Sequence, residues 1–313
     1  MKYFITGGAG FIGSTMVDRV MSDENNRVTV YDNFCSGQEG YISHHFSDER
    51  FHLIHGDMLD IESLKTAIAG HDFVFHFAAN PDIAKSMVET DLDLKQTVIA
   101  TYNLLEAMRV HDVRRIAYSS GSGIYGDVGL TETPENFGPL MPISMYGASK
   151  LGAEGLISAF CHMFDMQAWI YRFANVVGKR QTHGVGYDFI RRLRTNPDEL
   201  QILGDGNQSK SYIHVSDVIG AIFFAINNTE DKRNVFNVAT DDYITVNEIA
   251  RIVVNEMGLK DVTIKHTGGD RGWKGDVPVV RFDLAKIHNL GWHAKFSSNE
   301  AIRLSVREML EYM

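Results

Sequence analysis

The chain has 313 residues, 44% of them apolar, and a formal charge of −10 from 30 Lys+Arg against 40 Asp+Glu. That apolar content over that length excludes disorder and fits one large domain or two. The acidic surplus excludes a surface built for nucleic acid or for anionic membranes.

Taken in chain order, short β-branched and aromatic runs alternate with amphipathic stretches through the first 170 residues, which predicts an α/β fold with a doubly wound parallel sheet. Strands are predicted at residues 2–6, 27–31, 51–55, 72–76, 115–119 and 167–171. Between them, residues 94–108 read as a helix with Val98, Tyr102, Leu105 and Met108 on one stripe. Residues 146–163 read as another, with Leu151, Leu156 and Phe160 inward. Residues 178–186 and 204–210 read as loops, 215–227 as a helix and 234–238 as a further strand. A helix at 246–257, a strand at 262–265 and a terminal helix at 300–310, with Ile302, Val306 and Leu310 inward, complete the pattern. The expected division is a Rossmann-type dinucleotide domain over 1–174 and a smaller substrate-binding portion over 175–313, of which 212–245 returns to the first.

The N-terminus runs from a strand straight into glycines, without the apolar stretch and cleavage site of a signal peptide. The longest apolar run, residues 218–226, is nine residues, where a spanning helix needs about 20. Two cysteines, Cys35 and Cys161, are too few for a disulfide framework and point to a reducing compartment, both thiols being expected buried or half-buried. A cytoplasmic protein is therefore expected.

Thr6-Gly7-Gly8-Ala9-Gly10-Phe11-Ile12-Gly13 follows a predicted strand and opens a helix. Glycines there permit a tight turn, let backbone N–H groups approach a pyrophosphate and bring helix close to strand, while the helix N-terminus favours the negative charge. Asp32 ends the second strand nineteen residues after Gly13, where a carboxylate can accept both ribose hydroxyls. No Arg stands at 33–37 to welcome a 2′-phosphate, so NAD is expected rather than NADP. Gly56-Asp57-Met58 and Phe77-Ala78-Ala79 fall at the carboxyl ends of the third and fourth strands, where ligands of such sheets sit; Asp57 is expected on the adenine amino group. Asn33, Ser36 and Gly37 on the loop after Asp32, and Ser119 at the end of the fifth strand, complete the expected cofactor contacts.

Tyr146 and Lys150 stand at i and i+4, on one helix face. An ammonium there, with a cationic nicotinamide, favours phenolate and prepares a base for an alcohol proton.

Together the Thr-Gly-x-x-Gly-x-x-Gly loop, Asp32, Asp57 and Tyr146-x-x-x-Lys150 resemble the extended short-chain dehydrogenase/reductases. Residues 119–126, Arg172-Phe173-Ala174-Asn175-Val176 and 204–215 extend the resemblance to their nucleotide-sugar epimerase branch over nearly the whole chain. The resemblance implies reversible oxidation at sugar C4 of a UDP-hexose or UDP-hexuronate. Tyr146 would take the 4-hydroxyl proton, and Lys150 would bond the nicotinamide ribose. Phe173 would lie beside the nicotinamide, Asn175 would contact substrate, and Gly184, Val185, Gln201, Leu203 and Lys210 would hold base and diphosphate. Lys210 stands where relatives carry Arg, which keeps the charge and loses the bidentate fork.

The family's catalytic Ser or Thr falls on Gly121, which has no hydroxyl; Ser122 is expected to supply it, with Ser120 or water as alternatives. Dehydrating relatives place Asp-Glu just after that position and decarboxylating ones a Glu. Ser122 and Gly123 stand there instead, which favours epimerisation. Thr97 replaces a frequent Asn beside the site, and Arg271 or Lys274 is expected to replace a displaced phosphate-binding Arg near Trp273. The competing readings are a 4-oxidoreductase with net hydride exchange and a non-catalytic dinucleotide-binding regulator, which would tend to lack the Tyr-Lys pair. His44-His45 and the other histidines show no ligand spacing on a helix, so no metal is expected. A homodimer is expected through the helices carrying Tyr102 and Tyr146.

Overall fold

The computed structural model describes residues 1–312. Its elements are β1 (Lys2–Thr6), α1 (Phe11–Met21), β2 (Arg27–Asp32), β3 (Phe51–His55), α2 (Ile61–Ile68), β4 (Phe73–His76), α3 (Ala100–Val110), β5 (Arg115–Gly121), α4 (Met145–Met163), β6 (Gln167–Phe173) and β7 (Asn175–Val177). There follow α5 (Val185–Thr195), β8 (Glu199–Ile202), β9 (Ser209–Lys210), β10 (Tyr212–His214), α6 (Val215–Asn228), β11 (Arg233–Val238), β12 (Ile244–Thr245), α7 (Val246–Glu256), β13 (Thr263–His266), α8 (Ala285–Asn289) and α9 (Ser298–Tyr312).

The chain divides into two compact, discontinuous units: residues 1–121, 145–172 and 222–236 form the first, and 122–144, 173–221 and 237–312 the second. The first is built on a seven-stranded sheet of order β11-β6-β5-β4-β1-β2-β3. β1 pairs in parallel with both β2 and β4, β2 with β3, and β4 with β5. The order reverses between β1 and β4, so the loops leaving their carboxyl ends diverge and open a crevice. The six expected strands are present, and β11 is the seventh. Because the sheet is covered on both faces, its strands read as unbroken apolar runs; all four residues of β4 are buried. Leu104, Leu105, Met108, Ile157 and Phe160 from the covering helices pack with Phe4, Val74 and Ile116.

The helix expected over 94–108 starts with a π-helical stretch, Leu94–Ile99, before α3. Its wider turns shift the helical phase of α3, so Thr101, Leu104, Leu105 and Met108 face inward, while Tyr102, expected on that stripe, is exposed. On α4 the buried face runs through Gly147, Lys150, Ala153, Glu154, Ile157, Phe160 and Cys161; of the residues expected inward, Phe160 is buried and Leu156 packs part-buried against the core, while Leu151 is only half-buried.

The second unit has its own core of Phe189, Ile190, Leu193, Ile202, Ile249, Val253, Ile302 and Val306. Periodicity at residues 178–186 reads as loop, yet Val185 begins α5, a helix capped by Gly184 at φ +98°. Thr245 and Glu248 form a reciprocal capping box at the start of α7. Of the two free thiols, Cys161 is buried and Cys35 is exposed on the loop after β2, against expectation. The loop places it beyond the sheet's apolar cover. Among the described residues, no helix is long and apolar enough to cross a membrane.

A buried ion pair fixes α4 to the sheet. Arg172 Nη2 and Nε donate to Glu154 at 2.8 and 3.1 Å, and both side chains are under 10% exposed. Removing one partner strands the other charge away from water. Arg172→Ala is therefore expected to lower unfolding free energy by about 3–5 kcal/mol in urea titrations.

Candidate functional site

The first unit gathers its polar groups at the carboxyl ends of β1, β4 and β5. Gly7 has φ +69°, and a Cβ there would lie 2.6 Å from the Ala78 amide nitrogen, so the backbones leaving β1 and β4 touch. A Cβ on Gly13 would lie 2.1 Å from the Gly7 carbonyl oxygen, which keeps the first turn of α1 against the loop. Gly10 caps α1 without a side-chain hydrogen bond, and the first turn, which contains Phe11 and Ile12, carries no acidic residue. The positive end of the helix is thus left for an outside anion.

Asp32 is held in place by the backbone. Its Oδ2 accepts from Ala9 N at 2.9 Å and its Oδ1 from Phe34 N at 2.9 Å, and Gly37 lies over the carboxylate where a Cβ would come within 3.0 Å. Burial raises its pKa, opposed by those two N–H donors. Ala9 was not singled out from sequence, since nothing in its type signals a backbone contact. Asp57 is engaged internally: Oδ1 accepts from Leu59 N at 2.8 Å and Oδ2 from Asn33 Nδ2 at 3.2 Å. It therefore braces the loop carrying Asn33. Ser36 is exposed, Met58 is buried, and Phe77, Ala78 and Ala79 are half-buried.

Lys150 is buried and donates from Nζ to the Ser119 carbonyl oxygen at 2.7 Å; its Nζ lies 5.6 Å from the centre of the Tyr146 ring. Burial pulls the lysine pKa down to about 8, while Asp93 and Glu154 support its charge. The Tyr146 phenol is pushed up to about 12 by burial and by Asp93. The direction is opposite to the expected lowering, because burial and the nearby Asp93 carboxylate both disfavour the phenolate. Sequence reading missed Asp93, a fully buried carboxylate accepting from Asn80 Nδ2 at 3.0 Å and from Ser86 Oγ. It also missed His76, whose ring nitrogens sit 2.7 Å from Thr6 Oγ1 and 3.0 Å from Thr101 Oγ1; burial brings its pKa to about 3, so it is neutral. Ser120 Oγ and Thr97 Oγ1 are buried with no hydrogen-bond partner among the described residues. The cradle of glycines, the uncapped helix and these hydroxyls fit a large polar dinucleotide and its reactants.

In the second unit, Ser122 opens a 3₁₀ turn, Ser122–Tyr125. Phe173 ends β6, and Asn175 opens β7 with its N–H on the Ser211 carbonyl at 3.2 Å. Gly184 and Val185 start α5. Gln201 and Leu203 are exposed, and their carbonyls accept from Arg192 and Gln208. The two expected anion-binding cations meet. Lys210 Nζ lies 2.7 Å from Asp276 Oδ1, while Arg271 donates to the Asp276 carbonyl oxygen at 2.8 Å and to Asp127 Oδ2 at 2.5 Å. Asp276 and Asp127 thus compensate charges that the sequence shows only as cations.

Residues 3–239 match the family described as NAD dependent epimerase/dehydratase. A putative UDP-glucose 4-epimerase of Methanocaldococcus jannaschii is 31% identical over 311 residues, covering 97% of each chain. A dTDP-glucose 4,6-dehydratase of an Actinoplanes species is 32% identical over 225 residues, 69% of this chain and 70% of that protein. The solved UDP-glucose 4-epimerase of Thermotoga maritima, with UDP-glucose, superposes with a TM-score of 0.88 at 31% identity over 99% of each chain.

Gly13→Ala tests the cradle. Helix propensity favours Ala by up to about 1 kcal/mol, but the 2.1 Å clash is with backbone and forces a shift costing about 1–3 kcal/mol. Net destabilisation in urea and loss of dinucleotide binding in a fluorescence titration are expected.

Proposed function

The chain belongs to the NAD dependent epimerase/dehydratase family, and from that premise we propose that it is a nucleotide-sugar 4-epimerase acting on a UDP-hexose or UDP-hexuronate. The observation that carries the reading is the Tyr146–Lys150 pair, with Lys150 fixed on the Ser119 carbonyl and no carboxylate at Ser122-Gly123. Epimerase and dehydratase relatives both match, so the choice between them rests on this chemistry: proton removal at C5 needs a base beside the hydroxyl residue, and Ser and Gly supply none.

The Gly7–Gly13 loop, Asp32 and the Ala78 backbone would hold NAD. When bound, NAD⁺ supplies the hydride acceptor at C4 and a positive charge near the phenol. Tyr146 takes the 4-hydroxyl proton and later returns it. A phenol pushed up to about 12 is a poor base by itself, so the proton moves only when added positive charge stabilises the phenolate. Lys150, at about 8, is mostly protonated at neutral pH and contributes part of that charge. Ser122 is assigned the hydroxyl that orients the sugar 4-oxygen, and Asn175 the contact to substrate. Lys210 and Arg271 are assigned the diphosphate, which must displace the Asp276 and Asp127 carboxylates from them. The exposed free thiol of Cys35 suits a reducing cytoplasm.

The test is incubation with UDP-sugars and NMR of the configuration at C4. The wild type is expected to invert C4 without net NADH release. Tyr146→Phe should keep its NAD and lose about 10²–10⁴-fold in rate, and Ser122→Ala should lose rate with a smaller penalty. Net NADH release, or unchanged output of Tyr146→Phe, would sink the epimerase reading.

A homodimer is proposed through the helices bearing Tyr102 and Tyr146. Leu94, Ile99, Tyr102, Met145 and Met163 on that pair are exposed, and apolar groups of that size favour burial against a second copy. Sedimentation should report about twice the 35.1 kDa chain mass; a single species at the chain mass would overturn it.

A further inference from the structure

The geometry points to a divalent transition-metal site, of Zn²⁺ type, formed by Asp18, His44 and His45. Asp18 lies on α1, and the two histidines end a 3₁₀ turn, Ser43–His45. Both imidazoles aim Nε2 at one carboxylate oxygen: His44 Nε2 is 2.9 Å and His45 Nε2 2.8 Å from Asp18 Oδ1. The rings lie side by side, with centroids 4.0 Å apart.

Two imidazole nitrogens and a carboxylate oxygen thus lie within 4.8 Å of one another, close enough for one ion to reach all three. Bonds of about 2.0–2.1 Å in a tetrahedral site place ligand atoms roughly 3.3 Å apart. The nitrogens need to open from the oxygen by only about half an ångström, within the freedom of side-chain torsions. Two imidazoles and a carboxylate select Zn²⁺, Ni²⁺ or Cu²⁺ over Mg²⁺ and Ca²⁺, which prefer all-oxygen shells. With neutral imidazoles the ligand set carries one negative charge, and the chain's −10 adds a favourable field. His45 is anchored by stacking on Phe51 at 5.7 Å, and its side chain is 15% exposed against 51% for His44. The open side of the site leaves a fourth position for water.

The metal would tie α1 to the segment that leaves Asp32 and passes over it at Gly37. That segment is already bonded to the glycine loop where Gln38 N donates to Ala9 O at 2.9 Å. A bound ion therefore staples the outer end of the same strap. A second cluster, Asp241, His288 and His293, is less assembled: His288 lies 3.3 Å from the carboxylate, and Asp241 is 64% exposed. It serves as the internal control.

Isothermal titration of the full chain with Zn²⁺ tests the site. The wild type is expected to bind its tightest ion with a roughly micromolar dissociation constant. His44→Ala/His45→Ala should weaken that event at least about tenfold, as should Asp18→Asn, while His288→Ala/His293→Ala should leave it unchanged. Circular dichroism without metal should be the same for all four proteins. Absence of binding up to about 100 μM Zn²⁺, or retention of the tightest event in the His44/His45 variant, overturns the proposal.

Discussion

A buried ammonium sets the terms for the first unit. Lys150 is 3% exposed, and a lysine with so little water must be compensated or it loses its proton. The Ser119 carbonyl meets it directly, and Asp93 and Glu154 support its charge from further off. Each of those groups is itself committed: Asp93 to Asn80 and Ser86, Glu154 to Arg172. Keeping one cation inside therefore ties α4 to β5, to β6 and to the segment before the π-helical turn. The Tyr146 phenol inherits its position from that arrangement, one helical turn away on the same face.

The same surroundings hold the Tyr146 phenol in its protonated form. Burial and the Asp93 carboxylate both raise its pKa. A phenol so placed favours its protonated form, and an added positive charge nearby would favour the phenolate. The neutral His76, locked between Thr6 and Thr101, contributes shape and hydrogen bonds behind the cofactor loop and no charge.

In the second unit the global acidity has a local counterpart. Lys210 and Arg271 are not bare cations; they share Asp276, and Arg271 also holds Asp127. Asp276, Asp127 and Asp270 offset those two positive charges locally.

Short-range rules made much of the chain legible from its sequence. Alternating apolar runs located the strands, because strand burial depends on neighbouring residues. The glycine loop and the Tyr146–Lys150 pair were readable because a tight turn and an i,i+4 face are local geometry. Asp32 was readable because it ends a strand at a fixed distance from that loop. The rest depended on groups far apart in the chain. That Asp57 braces Asn33, that Asp93 faces Tyr146 and Lys150, that Asp276 gathers Lys210 and Arg271, and that Asp18 meets His44 and His45 are decided by packing, most of it across separations of 24 to 66 residues. The sequence determined which chemistry was available and on which elements it stood. Tertiary structure alone decided which charges neutralise one another, because an electrostatic partner is set by distance and burial in space and leaves no periodic trace along the chain.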